Sequence, residues 1–211
     1  MTNSIPEIED TNCLLVVGSN TTEAHPLISH WMYRAKLKGA KLIVVDPRRI
    51  QLSLHADVHV RLNFGTDVAL INGMMHAILA NNWHDRKFID ERTEGFAELR
   101  EHLQGYSPEK ASEICGIAPQ EIVRIDETYA TAERSSICYT LGITEHSHGV
   151  DNVKSLANLA MLTGQIGRPS TGVNPMRGQN NVQGACDMGG LPNVYPGYQV
   201  VTDDFVKGKF E

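Results

Sequence analysis

The sequence predicts an α/β protein, with three αβα layers around a mostly parallel sheet and a Gly/Pro-rich irregular tail after it. Three observations lead there. Short aliphatic runs, Cys13 to Val17, Leu42 to Val45 and Ser136 to Leu141, have the length and bulk of buried strands. Stretches with apolar residues at helical spacing separate them. From Gly164 onward, glycine and proline punctuate the chain.

The first run ends at Gly18, and the loop Gly18 to His25 leads to Pro26. Proline suits the first turn of a helix, where a missing N–H costs little. Leu27, Trp31 and Ala35, with Ile28 and Met32 beside them, are the expected apolar face. Lys36 and Lys38 suit the negative end of that helix and Gly39 its stop. Leu42 to Val45 then reads as a second strand, ending at Asp46-Pro47-Arg48-Arg49. Such a strand–helix–strand run is a βαβ unit with parallel strands and a right-handed crossover. Asp57 to Leu62 is expected as a third strand. Gly65-Thr66-Asp67 opens a helix with Thr66 as N-cap and Leu70, Met74 and Ile78 facing inward. The polar stretch 81–116 is expected to hold short helices. Another helix starts at Pro119, with Ile122, Ile125 and Tyr129 on one face. Ser136 to Leu141 runs into Gly142-Ile143-Thr144-Glu145-His146, and Val150 to Leu162 is helical. Beyond Gly164 the expectation is little regular structure, with backbone brought close to a ligand or partner.

With 211 residues, 41% hydrophobic and 21% charged, the chain can bury a core without staples. A formal charge of −6 argues against a nucleic-acid partner, so an anionic ligand must be held by local arginines, amides and helix ends. No apolar run has the length of a membrane span. Met1 to Asp10 lacks the regions of a signal peptide and reads as a start within a linker of a longer protein. The cytoplasm is the expected compartment. Cys13, Cys115, Cys138 and Cys186 form no C-x-x-C, and packing thiols in a reducing compartment are expected. Among the histidines, His146-x-His148 and the pair His55 and His59 lack a third ligand at a diagnostic spacing, so no metal ligand is assigned.

In an open parallel sheet, ligands bind beyond the carboxyl ends of the strands. Three strand ends carry distinctive loops: Gly18 to His25, Asp46 to Arg49, and Gly142 to His146. The first can aim amides at a phosphate, but it lacks the G-x-G-x-x-G pattern and a plain βα turn fits equally. Asp46 can accept from ribose hydroxyls or merely cap a turn. Arg48 can meet a phosphate or purine, or stay solvated. The stretch Gly172 to Gly189 sets one arginine, Arg177, among glycines and amides. An arginine so placed can grip a carboxylate through two parallel N–H bonds, while the alternative is a self-bonded connector.

Leu162-Thr163-Gly164-Gln165-Ile166-Gly167, the segment Arg177-Gly178-Gln179-Asn180-Asn181-Val182-Gln183-Gly184, and Tyr195-Pro196-Gly197-Tyr198 together resemble the formate dehydrogenase branch of the molybdopterin oxidoreductases. The resemblance extends upstream through Val45-Asp46-Pro47-Arg48, Arg92-Thr93-Glu94-Gly95-Phe96 and Gly105-Tyr106-Ser107-Pro108-Glu109, and so covers nearly the whole chain. It implies an internal fragment of the large, or alpha, subunit. Residues 1–179 would be a Rossmann-like molybdopterin guanine dinucleotide-binding domain, and 180–211 the start of the adjoining domain. It implies a bis-molybdopterin guanine dinucleotide cofactor carrying molybdenum or tungsten. Formate would be oxidised to carbon dioxide, with two electrons leaving through a 4Fe-4S cluster to electron-transfer subunits or carriers. Carried over by position, Gly18, Asn20, Glu23, Asp46, Arg48, Gly65 and Asp67 would line the guanosine and diphosphate, and Leu141, Gly142 and Glu145 would approach the same cofactor. Arg177 would orient formate, and Gln179 would contact the pterin or the substrate pocket. Glu23 and Glu145 stand where relatives often have aspartate and glutamine. The cluster cysteines, the cysteine or selenocysteine on molybdenum and its neighbouring histidine are absent; in relatives they lie upstream. The isolated chain is therefore expected to be inactive. Alternatives are a related molybdenum reductase such as nitrate reductase, a non-catalytic respiratory-complex subunit of the same superfamily, and a free-standing nucleotide-binding module.

Overall fold

The computed structural model describes residues 1–179 and 181–210; Asn180 and Glu211 lie outside them. The chain divides into two compact units, Met1–Met176 and Arg177–Glu211.

The first unit is built on five parallel strands. They are β1 (Cys13–Val17), β2 (Lys41–Val45), β3 (Val58–Val60), β4 (Ser135–Tyr139) and β5 (Gly172–Pro175), in the order β3-β2-β1-β4-β5. The pleat sends alternate side chains to opposite faces. Leu15, Val17, Ile43, Val45 and Ile137 enter one core, and Leu14, Val16, Leu42, Val44 and Cys138 enter the other. Each fully buried aliphatic side chain of this kind contributes about 1.5–3 kcal/mol.

Helices cover both faces. Between β1 and β2 come α1 (Thr21–Ala24) and α2 (Pro26–Leu37), the latter burying Met32 and Ala35 in the Leu14 core. Between β3 and β4 run α3 (Asp67–Ala80), α4 (Arg86–Arg92), α5 (Phe96–Leu103), α6 (Pro108–Cys115) and α7 (Pro119–Ala130). After β4 come α8 (Leu141–Thr144) and α9 (Gly149–Leu162). Met74, Ile78, Ile122, Ile125, Tyr129, Leu156 and Leu159 from α3, α7 and α9 fill the Leu15 core. The three-layer αβα arrangement with a parallel sheet is thus the one the sequence predicts.

Several details differ from the sequence reading. Leu27 is 82% exposed; Ser29 takes the inward position instead and donates its hydroxyl to the Pro26 carbonyl at 2.7 Å. Thr66 sits at the N-cap of α3, but its hydroxyl donates backward to the Asn63 carbonyl and makes no cap bond. The loops after β1 and β4 each contain one helical turn, α1 and α8. The largest correction is β5, which lies in the stretch expected to be irregular. It is an edge strand, where Pro175 costs no shared ladder bond. Its Asn174 is buried and donates to the Ser136 hydroxyl at 2.8 Å. Outside β5, the Thr2 amide donates to the Val173 carbonyl at 3.2 Å, and the Val173 amide donates to the Thr2 hydroxyl at 3.0 Å. Glu7 holds this margin together by accepting from the Asn3 side chain and from the Ser170 amide, both at 2.9 Å.

The second unit also contradicts the expectation of an irregular tail. It holds α10 (Val182–Asp187), a small antiparallel pair β6 (Val194–Tyr195) and β7 (Gln199–Val200), and α11 (Asp204–Phe210). Elements this short carry no readable hydrophobic period. Turn glycines close them, with Gly189 at φ +85° and Gly197 at φ +75°, and the rings of Tyr195 and Phe210 stack at 4.9 Å.

Candidate functional site

The loops after β1 and β4 meet through their backbones. Gly18 takes φ +54° at the end of β1, a conformation glycine adopts without cost. The Gly142 amide donates to the Gly18 carbonyl at 3.1 Å, and the Thr140 hydroxyl donates to the same oxygen at 2.7 Å. A Cβ on Gly18 would lie 2.7 Å from the Gly142 carbonyl carbon; one on Gly142 would lie 2.5 Å from the Gly18 oxygen. Only two glycines allow this crossing. Leu141, Gly142 and Glu145 are exposed around it, as is Glu23, while Asn20 is half-buried.

The β2 loop is tied down separately. Asp46 is 4% exposed and accepts from the Arg48 amide at 2.8 Å, so it does cap its own turn. That leaves the carboxylate able to accept further bonds. His59 donates from Nε2 to the Asp46 carbonyl at 3.0 Å, a bond that fixes its tautomer. The Arg48 guanidinium is exposed, with Nε 3.8 Å from Asp46. At the start of α3, Gly65 is exposed at φ +75° and Asp67 is buried. Burial holds the Asp67 carboxyl above the usual carboxylate range; its own amide and His146 pull it down, and Asp46 pushes it up. The β2 turn, the β4 loop and the α3 start therefore share one electrostatic neighbourhood at the carboxyl edge of the sheet. A groove of about 480 Å³ opens next to Gly65 between α3, α5 and α9. Asn72, Tyr106, Lys154 and Asn158 are among the residues lining it; of the predicted cofactor residues, only Gly65 does so.

Arg177 and Gln179 belong to the second unit, and both are exposed. The Arg177 Nη1 donates to Cys186 Sγ at 3.6 Å. Burial pushes the Cys13 and Cys138 thiols up to about 12, as expected for packing groups. Among the described residues, no group of three His, Cys, Asp or Glu side chains could hold a metal ion. No described helix is long and apolar enough to cross a membrane.

The family model for molybdopterin oxidoreductases matches residues 1–210. The chain belongs to the molybdopterin oxidoreductase family. It is 55% identical over 205 residues to the F420-dependent formate dehydrogenase subunit alpha of Methanocaldococcus jannaschii, covering 97% of this chain and 30% of that protein. It is 47% identical over 210 residues to formate dehydrogenase H of Escherichia coli, covering 100% of this chain and 29% of that protein. The chain thus spans less than a third of these relatives. Among solved structures, acetylene hydratase from Pelobacter acetylenicus matches with a TM-score of 0.70 and 28% identity, over 76% of this chain and 24% of that one. Family membership implies a molybdopterin cofactor.

Of the positions singled out in the sequence, Gly18, Asp46, Asp67, Gly142 and the loop residues beside them occupy the carboxyl edge. Three supporting residues were not foreseen. Thr140 holds the crossing, His59 anchors the Asp46 carbonyl, and His146 donates from Nε2 to the Gly142 carbonyl at 2.8 Å. In the sequence analysis, His59 and His146 are assigned no metal and no other role. Their positions at strand ends, rather than their spacing, were the available signal.

Proposed function

We propose that the chain is the dinucleotide-cradling part of the catalytic subunit of a molybdenum formate dehydrogenase. The observation that carries this reading is the Gly18–Gly142 crossing at the carboxyl edge of a parallel sheet, in a chain 55% and 47% identical to proteins named as formate dehydrogenases. On this reading residues 1–179 form the dinucleotide domain and 180–211 begin the adjoining one. The groups at the edge suit a guanine dinucleotide. Glu23, Asp46 and Glu145 are acceptors for base N–H groups and ribose hydroxyls, and Arg48 is a cation for phosphate. Asn20, Gly65 and Asp67 complete the nucleotide side, and Leu141 and Gly142 the side toward the pterin. When bound, the bis-molybdopterin guanine dinucleotide, with molybdenum or tungsten, supplies the two-electron acceptor.

Formate would yield carbon dioxide, a proton and two electrons, and a 4Fe-4S cluster held elsewhere in the whole protein would carry the electrons away. Arg177 grips the carboxylate through two N–H bonds, which fixes the direction of the C–H bond; this is catalysis by positioning. Gln179 lies two residues on, at the pterin or substrate pocket. Partners are formate, the remaining domains of the subunit and electron-transfer proteins. The four free cysteines suit the reducing cytoplasm.

In the full-length subunit, Arg177→Ala is expected to lower kcat/KM for formate about 100-fold or more, the loss of two charge-assisted bonds. Steady-state kinetics on the cofactor-loaded enzyme measure it, and an unchanged kcat/KM would overturn the reading.

A further inference from the structure

We propose that the groove between α3, α5 and α9 binds a small planar carboxylate whose ring carries an imide or lactam edge. This does not rest on the formate reading. It starts from one side chain. Four amide side chains are buried among the described residues: Asn72, Asn152, Gln165 and Asn174. Three of them have partners. Asn152 donates to the Ile143 carbonyl at 2.9 Å, Gln165 to the Ala132 carbonyl at 2.8 Å, and Asn174 to the Ser136 hydroxyl at 2.8 Å. Asn72 is 4% exposed, and its side chain has no hydrogen bond among the described residues. Its amide is not sealed in the interior, as the Asp126 carboxyl is, but lines the groove. A buried amide left unpaired costs free energy unless something outside the protein bonds it.

Packing does not explain this residue. Asparagine is a poor helix former, and Asn72 sits inside α3. Its neighbour Gly73 does have a packing reason. A Cβ there would lie 2.5 Å from the Ala111 Cβ, so α6 can approach α3 closely only over glycine. The Tyr106 carbonyl lies 3.8 Å from the same point, which brings Tyr106 to the groove as one of its walls. Across the groove, Lys154, Ser155 and Asn158 share a face of α9 by their spacing of three and four. Among the described residues, none of these three side chains has a hydrogen bond or an ion pair. Asp151, on the same face, lies near His148 instead, at 4.0 Å. The chemistry of the occupant follows from these groups. An amide offers a donor and an acceptor side by side, so Asn72 matches an imide or lactam edge through paired bonds. Lys154 is a cation for a carboxylate. Val68, Leu99 and the Tyr106 ring give apolar walls for a flat ring. A volume of about 480 Å³ is that of a small-molecule site.

Orotate carries the ring, the imide edge and the carboxylate; uracil lacks the carboxylate and benzoate the imide. The test titrates each into the 211-residue chain and follows backbone amide shifts by NMR. Orotate is expected to saturate and to bind about 10-fold tighter than uracil or benzoate, the worth of the missing bonds. The shifts should centre on Asn72, Ser155 and Asn158 and leave Gly18 and Gly142 in place. Lys154→Gln is expected to abolish the preference for orotate over uracil. Asn72→Ala should weaken orotate about 10-fold, yet raise the melting temperature of the free chain by about 3 °C, because it removes an unpaired buried amide. A purely structural Asn72 would give the opposite sign in the melt. No saturable orotate binding up to about 10 mM, or equal affinity for the three compounds, would overturn the proposal. So would shifts centred on Gly18 and Gly142, or a lower melting temperature in Asn72→Ala.

Discussion

The loop crossing at the sheet edge and the segment bearing Arg177 are held in different ways. At Gly18 and Gly142 two backbones touch, and the loops inherit the rigidity of strands buried on both faces. Between 177 and 210 the described residues form no long element, and side-chain bonds such as Gln183 to Tyr198 and Arg177 to Cys186 help hold the structure. A backbone crossing tolerates no side chain on either glycine, and here the Thr140 hydroxyl and the His146 ring add only to a contact that the two backbones already make. A side-chain brace can be tuned residue by residue, at the cost of sensitivity to each one. On the proposed function, a nucleotide cradle would suit the first kind of support, and a substrate-gripping arginine the second.

The largest expected effect breaks the rigid side of this comparison. Gly142→Ala would put a methyl group 2.5 Å from the Gly18 oxygen. Neither backbone can yield without moving β1 or β4, so a loss of about 3 kcal/mol is expected, or roughly 10 °C in a thermal melt. A melt within 2 °C of the parent would show the crossing to be soft.

Next is a buried group in the same unit. Asp126 is fully buried, and its carboxyl has no hydrogen-bond partner among the described residues. Burial therefore raises its pKa well above the usual carboxylate range. The folded state holds that proton more tightly than the unfolded chain, so its contribution is complete below the unfolded value of 3.8 and is lost as pH rises toward the folded value. Above pH 4 the slope is about 1.4 kcal/mol per pH unit. Asp126→Asn should flatten this slope in denaturant titrations at stepped pH; an unaltered slope would mean that Asp126 is not its source.

Glu7 has the opposite sign. The Asn3 side chain, the Ser170 amide and Ser4 lower its pKa from 4.5 to about 2. Its contribution is present above 4.5 and is lost as pH falls toward 2, so Glu7→Gln should remove part of the acid-side loss and lower stability near neutrality. Melts at pH 3 and pH 7 would read this.

The smallest effect sharpens the other side of the comparison. Tyr198→Phe removes one side-chain bond to Gln183, worth about 1 kcal/mol. Faster amide exchange should be confined to residues after 177. Exchange spreading into β1 or β4 would mean that the two units share one cooperative core.

The sheet was legible because strands buried on both faces read as continuous aliphatic runs, as in Cys13 to Val17 and Leu42 to Val45. β5 was not, because its four residues are Gly172, Val173, Asn174 and Pro175. A long-range bond to Ser136 and an edge position make a strand of them, and neither shows in local composition. Leu27 was misplaced for a related reason: Ser29 satisfies its own hydroxyl within the helix and can face inward, shifting the apolar face away from Leu27. At the site, Gly18 and Asp46 were legible as strand-end residues. The crossing with Gly142 was not, since residues 124 positions apart leave no joint pattern in sequence. Arg177 stood out by composition, whereas its contact with Cys186 depends on a six-residue helix too short to announce itself.

The coverage of β5 by Thr2 and Asn3 has a consequence for handling the molecule. A bare sheet margin is a template for another chain. Clipping the first few residues would uncover Val173 and release Glu7 from Asn3 while barely touching the hydrophobic interior. Such a trimmed product should stay folded yet become adhesive, and show oligomers by light scattering before any loss of helical signal.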